Sequence, residues 1–598
     1  MLQLDQKQIQ EKLGFIEKYV KANNAAEGSK FDANANVTHK NLATLEAELM
    51  KDAIIQVNRA KVTEKIQALF GNELACEYIR QIEAHEIYVH DETSLKPYCA
   101  SITMYPFLLD GLTKLGGESK APRHLESFCG SFVNLVFAIS AQFAGAIATV
   151  EFLIYFDHFA RIDYGDDYLA QHPEKIANHL QHVVYALNQP AAARGYQSVF
   201  WNISIYDQYY FESMFGAFVF PPLDSGQKEL VKPLWDNINQ LQHFFMNWFN
   251  DERKKAILTF PVVTAAMLTE NGQCKDLPFV QFCSQQLANG NSFFTYLSDN
   301  ADSLASCCRL RNEMTDNTFS YTLGAGGIST GSVNVITMNI NRLVQNKQDI
   351  AENVRKIHKY QIAYRQIMDE YQDQGMLPVY DAGFINLNKQ FLTIGINGMV
   401  EAAESQGIQA GNNEEYKTFV RDHLKIIYDE NKAAKHTTGY LFNTEFVPAE
   451  NLGVKNAKWD KADGLAVNRD CYNSYFYVVE DENCHTLDKF ILHGKDMIEY
   501  LDGGSALHLN LAESLSQTQY LQLFNIAAKT GCNYFCINVK ITICNECETI
   551  DKRTVYQCPA CNSRNVDHGT RVIGYLKRVS AFSHARQHEH DRRFYHTR

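Results

Sequence analysis

The chain begins Met1-Leu2-Gln3-Leu4-Asp5-Gln6-Lys7 and lacks the apolar core of a secretory leader. With fifteen cysteines, that absence implies a reducing, cytoplasmic setting in which thiols bind metal or do chemistry. Repeats and low-complexity tracts are missing, which excludes solenoids and disordered linkers. So are basic runs interleaved with aromatics, and the formal net charge is −13. Nucleic acid is therefore not expected as a partner, although the stretch from Arg571 onward is locally basic. The Gly-rich segment Gly324-Ala325-Gly326-Gly327 lacks the Gly-Lys-Ser/Thr ending of a P-loop. One uncharged run, Ser127 to Val150, is long enough to nominate a membrane span. Asn134, Ser140, Gln142, Gly145 and Thr149 interrupt it and Glu151 follows at once, so it reads as a buried helix of a large core, with no membrane expected.

What is present fits a large enzyme. The 598 residues are 45% apolar and 21% charged, enough to bury one very large core or several domains. Residues 1–85 read as polar and helical, with turn signals around Asp32 to Asn36 and periodicity from Leu42 to Phe70. Strand-like runs such as Val333 to Ile340 alternate with helix-like runs such as Ala351 to Tyr371, which predicts an α/β fold. Residues 86–530 are expected to form the main body, and 531–598 a small separate unit.

In that last unit, Cys544-x-x-Cys547 and Cys558-x-x-Cys561 are spaced to close a tetrahedral zinc site. Four thiolates leave no open position, so the zinc would be structural. There follows Arg571-Val572-Ile573-Gly574-Tyr575-Leu576. A radical at a glycine Cα is stabilised by the flanking amide groups, and only glycine lets that centre become planar without a Cβ clash. The hexapeptide resembles the radical-bearing loop of glycyl radical enzymes and, with the knuckle before it, that of the anaerobic (class III) ribonucleotide reductases.

Other segments carry the same resemblance. Ala305-Ser306-Cys307-Cys308-Arg309, with the glycines after it, resembles that family's finger loop near residues 305–331. The cysteine before Arg, here Cys308, would become the thiyl radical that takes the ribose 3′-hydrogen. His90-Asp91-Glu92-Thr93-Ser94-Leu95-Lys96-Pro97-Tyr98-Cys99 resembles the stretch that supplies a second cysteine. Cys99 would then protonate the leaving 2′-hydroxyl. The formate-using branch has Asn where this chain has Ser332 and an aromatic residue where it has Glu445. Both departures resemble the branch reduced by a thioredoxin-type protein, with Glu445 replacing the carboxylate of formate. Cys99 with Cys308 or with Cys307 are the options for the oxidised pair. Pro448-Ala449-Glu450-Asn451-Leu452 resembles a phosphate-binding turn, with phosphates on the amides of Ala449, Glu450, Asn451 and Leu452.

The resemblance implies a ten-stranded α/β barrel of two antiparallel halves, each of five parallel strands, with the finger loop at its centre. It implies anaerobic reduction of ribonucleotides, most simply the triphosphates, to deoxyribonucleotides. A radical-SAM activase, carrying S-adenosylmethionine and an iron–sulfur cluster, would install the radical on Gly574. A nucleotide effector and a homodimer are implied too, the family's dimer helix falling around Ala141 to Ala146. Residues 1–90 do not resemble an ATP-cone. Leu501-Asp502-Gly503-Gly504-Ser505-Ala506-Leu507-His508 resembles a family turn and strand to which no chemistry is assigned. The alternatives are another glycyl radical enzyme, a lyase or acyltransferase, and a non-catalytic zinc-ribbon binding protein.

Overall fold

The computed structural model describes residues 4–25, 40–190, 197–222, 231–301, 303–306, 310–313, 328–446, 451–573 and 575–596. Helices Gln6–Lys21, Leu42–Leu49, Lys51–Phe70 and Asn72–Glu83 make up the N-terminal region. The turn expected around Asp32 to Asn36 lies outside the described residues.

Ten strands build the body: β1 (Cys99–Ser101), β2 (Ile147–Ala148), β3 (Trp201–Tyr206), β4 (Val262–Glu270), β5 (Phe294–Ser298), β6 (Thr330–Asn339), β7 (Gln390–Asn397), β8 (Leu441–Phe446), β9 (Leu507–Leu511) and β10 (Tyr534–Val539). Strands β1 to β5 run parallel in chain order. Strands β6, β7 and β8 are parallel, as are β9 and β10. The two halves meet antiparallel at β1–β6 and at β5–β10. Helices cover the outside, so β6 and β7 are buried along their whole length.

Closure of the barrel falls to the Asp502-Gly503-Gly504 turn. Glu445 and Gly504 form a parallel bridge. The Gly503 N–H donates to the Thr444 carbonyl at 2.8 Å and the Phe446 N–H to the Gly504 carbonyl at 3.1 Å. The Asp502 carboxylate accepts from the Thr444 N–H at 2.8 Å. Two glycines are needed here for different reasons. A Cβ on Gly503 would lie 2.6 Å from the Thr444 carbonyl oxygen, and Gly504 has φ +106°. The segment left without a role by sequence is the joint that turns a sheet into a barrel.

Two expectations are corrected. The run Ser127 to Val150 is not one helix: helix Leu125–Ser140 ends in a turn, and the chain then enters β2. A run that is apolar throughout fits a buried helix and a buried strand equally well, so its length did not mark the boundary. No helix among the described residues is long and apolar enough to cross a membrane. The small C-terminal unit begins at Ile541 rather than 531, because Tyr534–Val539 is the tenth barrel strand. That unit is a four-stranded antiparallel ribbon of β11 (Ile541–Cys544), β12 (Ile550–Asp551), β13 (Val566–Ile573) and β14 (Tyr575–Arg578), in the order β12-β11-β13-β14.

Replacing Gly503 by alanine is expected to destabilise the protein by about 1–3 kcal/mol through overpacking at the closing turn. A calorimetric scan should show a lower unfolding midpoint; an unchanged midpoint would mean that closure does not depend on this turn.

Candidate active site

The four cysteines of the ribbon converge. Their sulfurs all lie within 4.8 Å of one another, with Cys544–Cys561 and Cys547–Cys558 each at 3.5 Å. Zinc–sulfur bonds of about 2.3 Å require tetrahedron edges of about 3.8 Å. The two knuckles share one backbone design. Glu548 and Asn562, each following a knuckle's second cysteine, have φ +61° and +59°. The N–H of each first cysteine closes a turn, Cys544 to Thr549 at 2.9 Å and Cys558 to Ser563 at 2.8 Å. This donor set fits a tetrahedral zinc ion.

The ribbon carries β13 and β14, whose facing ends are Ile573 and Tyr575. Gly574, between them, lies outside the described residues. Arg571 ties this hairpin to the barrel and is buried at 1% exposure. Its Nε donates to Ser292 Oγ at 2.8 Å and its Nη2 to the Ser292 carbonyl at 3.0 Å, just before β5. Its guanidinium lies 5.3 Å from the Phe294 ring. Arg253 Nη1 donates to the same carbonyl at 2.8 Å. Burial, and then the charge of Arg571, push the Arg253 pKa well below the usual arginine value. On β10, Asn538 Nδ2 reaches Asn510 Oδ1 at 3.2 Å and the Arg571 carbonyl at 3.5 Å. Sequence reasoning gave Arg571 no task of its own and missed Ser292 and Asn538, which carry no motif.

Inside the barrel, side-chain direction follows from outward contacts. The Phe442 ring packs 4.3 Å from His358 of helix Ile350–Asp373. Thr444 Oγ1 accepts from Asn431 of helix Glu414–Thr438 at 2.9 Å. Both helices lie outside, so alternation turns Asn443 and Glu445 inward. Glu445 is 7% exposed.

Cys99 pairs across the antiparallel seam with Ser332. Its sulfur accepts from the Ala146 N–H at 3.2 Å. A Cβ on Gly145 would lie 2.5 Å from that sulfur, so at this glycine the small side chain serves the cysteine. Ser332 Oγ bonds to Thr393 Oγ1 at 2.8 Å, and Thr393 stands in register with Asn443. A row Cys99, Ser332, Thr393, Asn443 thus crosses four adjacent strands, with Glu445 one step further along β8.

Cys307 and Cys308 lie outside the described residues, as do Ala449 and Glu450. The cysteines are flanked by strands Ser303–Ser306 and Leu310–Glu313, which pair antiparallel. Asn451 and Leu452 stand at the start of helix Leu452–Ala462, whose N-cap makes no side-chain hydrogen bond. Its first N–H groups therefore have no partner within the helix. The helix is seated by Asp460, which accepts from Asn339, Asn341, Arg342 and Tyr472 at 2.6–3.2 Å.

Comparison with known proteins agrees with this geometry. The family model for anaerobic ribonucleoside-triphosphate reductase matches residues 46–596. The chain belongs to the anaerobic ribonucleoside-triphosphate reductase family. Among solved structures, one described as an anaerobic ribonucleotide reductase superposes with TM-score 0.84 at 25% identity, covering 99% of this chain and 93% of that one. The Thermotoga maritima anaerobic ribonucleotide reductase in complex with dATP and CTP gives TM-score 0.82 at 26% identity, covering 98% and 100%. A B12-independent glycerol dehydratase from Clostridium butyricum, 10% identical with TM-score 0.55, shares the fold alone. No curated protein sequence matches the chain.

For this reductase, Cys558→Ser is expected to abolish binding of one zinc ion per chain and expose the ribbon to proteolysis after residue 540. The barrel should keep its unfolding transition. Full zinc content in the variant, by mass spectrometry, would refute the ligand set.

Proposed function

We propose that this reductase converts ribonucleoside triphosphates to 2′-deoxyribonucleoside triphosphates by glycyl and thiyl radical chemistry, with a thioredoxin-type protein as reductant. The observation that carries the reading is the seam pair of Cys99 and Ser332 on the inner wall of a closed barrel, with Glu445 two strands away.

In the proposed sequence a radical-SAM activase removes a hydrogen atom from Gly574, and the radical passes to Cys308. The Cys308 thiyl takes the 3′-hydrogen atom of the ribose. Glu445 accepts the 3′-hydroxyl proton while Cys99 protonates the 2′-hydroxyl, which leaves as water. Cys99 and a second thiol, Cys307 or Cys308, supply the two electrons and end as a disulfide. With Cys307 as the second thiol, the Cys308 S–H returns its hydrogen atom to C3′ and becomes the thiyl again, and the thioredoxin-type dithiol reduces the disulfide. Net, one nucleotide and one dithiol give one deoxynucleotide, water and one disulfide. Substrate phosphates would lie on the amides of Ala449 to Leu452, at the positive end of the helix that Asp460 seats. Zinc would hold the radical hairpin and take no part in the reaction.

A nucleotide effector and a homodimer in the cytoplasm complete the proposal. The dATP and CTP of the Thermotoga maritima relative support separate effector and substrate sites.

Anaerobic electron paramagnetic resonance after incubation with a competent activase, S-adenosylmethionine and reductant tests the radical. A doublet should form in the wild type and in Cys308→Ala, and be absent in Gly574→Ala. Cys308→Ala should nevertheless be inactive. Multiple turnovers should be supported by thioredoxin and not by formate. No doublet with an activase proven on another substrate would overturn the radical mechanism, and turnover on formate alone would overturn the reductant.

A further inference from the structure

Of the inner row the proposed chemistry uses Cys99; Ser332 and Thr393 bond to each other, and Asn443 stands apart. Asn443 is fully buried, and neither Oδ1 nor Nδ2 has a hydrogen-bond partner among the described residues. Its neighbours cannot relieve it. Thr393, in register on β7, has its hydroxyl bonded to Ser332. On the other side stands Gly503, where an added Cβ would come within 3.2 Å of Asn443 Cγ. A carboxamide left with both its donor and its acceptor unpaired in a closed interior is costly to the free protein. Such an arrangement is retained where a ligand completes it.

We infer that Asn443 is a substrate-binding residue that holds the ribose through its two vicinal hydroxyls, one donating to Oδ1 and the other accepting from Nδ2. The inference rests on the reductase reading and adds a residue to it. A primary carboxamide places one acceptor and one donor side by side, which matches a cis-diol and no single hydroxyl. The location agrees. Asn443 shares its strand and inward face with Glu445, the proposed base for the 3′-hydroxyl. It also ends the row that begins at Cys99, the proposed acid for the 2′-hydroxyl. A diol held at Asn443 lies on the same inner wall as the two groups proposed to act on it. Asn443 moves no proton in this scheme; it fixes the ring so that those two groups can.

The test uses full-length, zinc-loaded protein without radical, under anaerobic conditions. Binding of CTP, 2′-deoxy-CTP and 3′-deoxy-CTP is measured with dATP in fixed excess. Wild type should prefer CTP over either deoxy form by about tenfold or more. Asn443→Ala should lose most of that preference, keeping only what Glu445 and Cys99 contribute, with its unfolding midpoint unchanged or raised because an unpaired amide leaves the core. Asn443→Ser, which keeps one hydroxyl, should recover part of the preference. Should the alanine variant fail to fold, the serine variant's loss of preference carries the same test. Undiminished preference for CTP in the folded variants would overturn the role of Asn443 and leave the reductase reading standing. Failure of the wild type to bind any ribonucleotide would instead bring down both.

Discussion

The structure depends on the joint between β8 and the Gly503-Gly504 turn. Without it ten strands would form an open sheet with two unpaired edges, and the inner face would be wet. With it every strand has neighbours on both sides, and the interior becomes a space that water leaves. Chemistry by carbon- and sulfur-centred radicals needs that exclusion, since neither survives long in contact with solvent and oxygen. The joint is narrow because β8 must approach the turn closely enough for Gly503 to donate to Thr444 at 2.8 Å. Only a residue without a side chain fits there.

Closure also decides which residues meet. The two halves run in opposite directions, so their seams are antiparallel, and the β1–β6 seam sets Cys99 opposite Ser332 although more than two hundred residues separate them. At the other seam Ser292 leads into β5, and Arg571 is fastened to it. Two buried guanidiniums sharing one carbonyl is not an arrangement chosen for stability, since burying a cation costs desolvation free energy. It fixes orientation: the planar fork of Arg571 defines both the distance and the angle at which β13 meets the barrel. The four-cysteine knuckle holds the far side of the same ribbon.

How much of this could be read from the sequence follows from the range of each interaction. Cys544, Cys547, Cys558 and Cys561 were legible because a knuckle is local, and spacing alone brings each pair together. Cys99, Ser332 and Glu445 became visible only through resemblance, for a lone Cys, Ser or Glu has no periodicity to betray it. The end of helix Leu125–Ser140 and the start of the ribbon were misplaced for a common reason: buried strands and buried helices are both apolar, and only pairing partners tell them apart. The closing turn was quoted as a motif without a task, since its task depends on a strand about sixty residues earlier. Asn443 sat in plain view between Phe442 and Thr444. Its significance lies in what it fails to touch, and that is a property of the fold.

On the proposed reading, the pattern of satisfied and unsatisfied groups along the inner row marks where the substrate would sit. Ser332 and Thr393 satisfy each other, and Cys99 accepts from the Ala146 amide, so these three are ready without substrate. Asp460, outside the barrel, is saturated by four donors, which suits a group that must hold a helix still. Asn443 alone in the row has no partner for its side chain among the described residues. Preorganised groups that act on the substrate should not need to rearrange, whereas a group that binds it must have capacity to spare. The ribose is then expected at the end of the row where hydrogen-bonding capacity is unspent, on the same wall as Cys99 and Glu445, the groups proposed to transfer its protons.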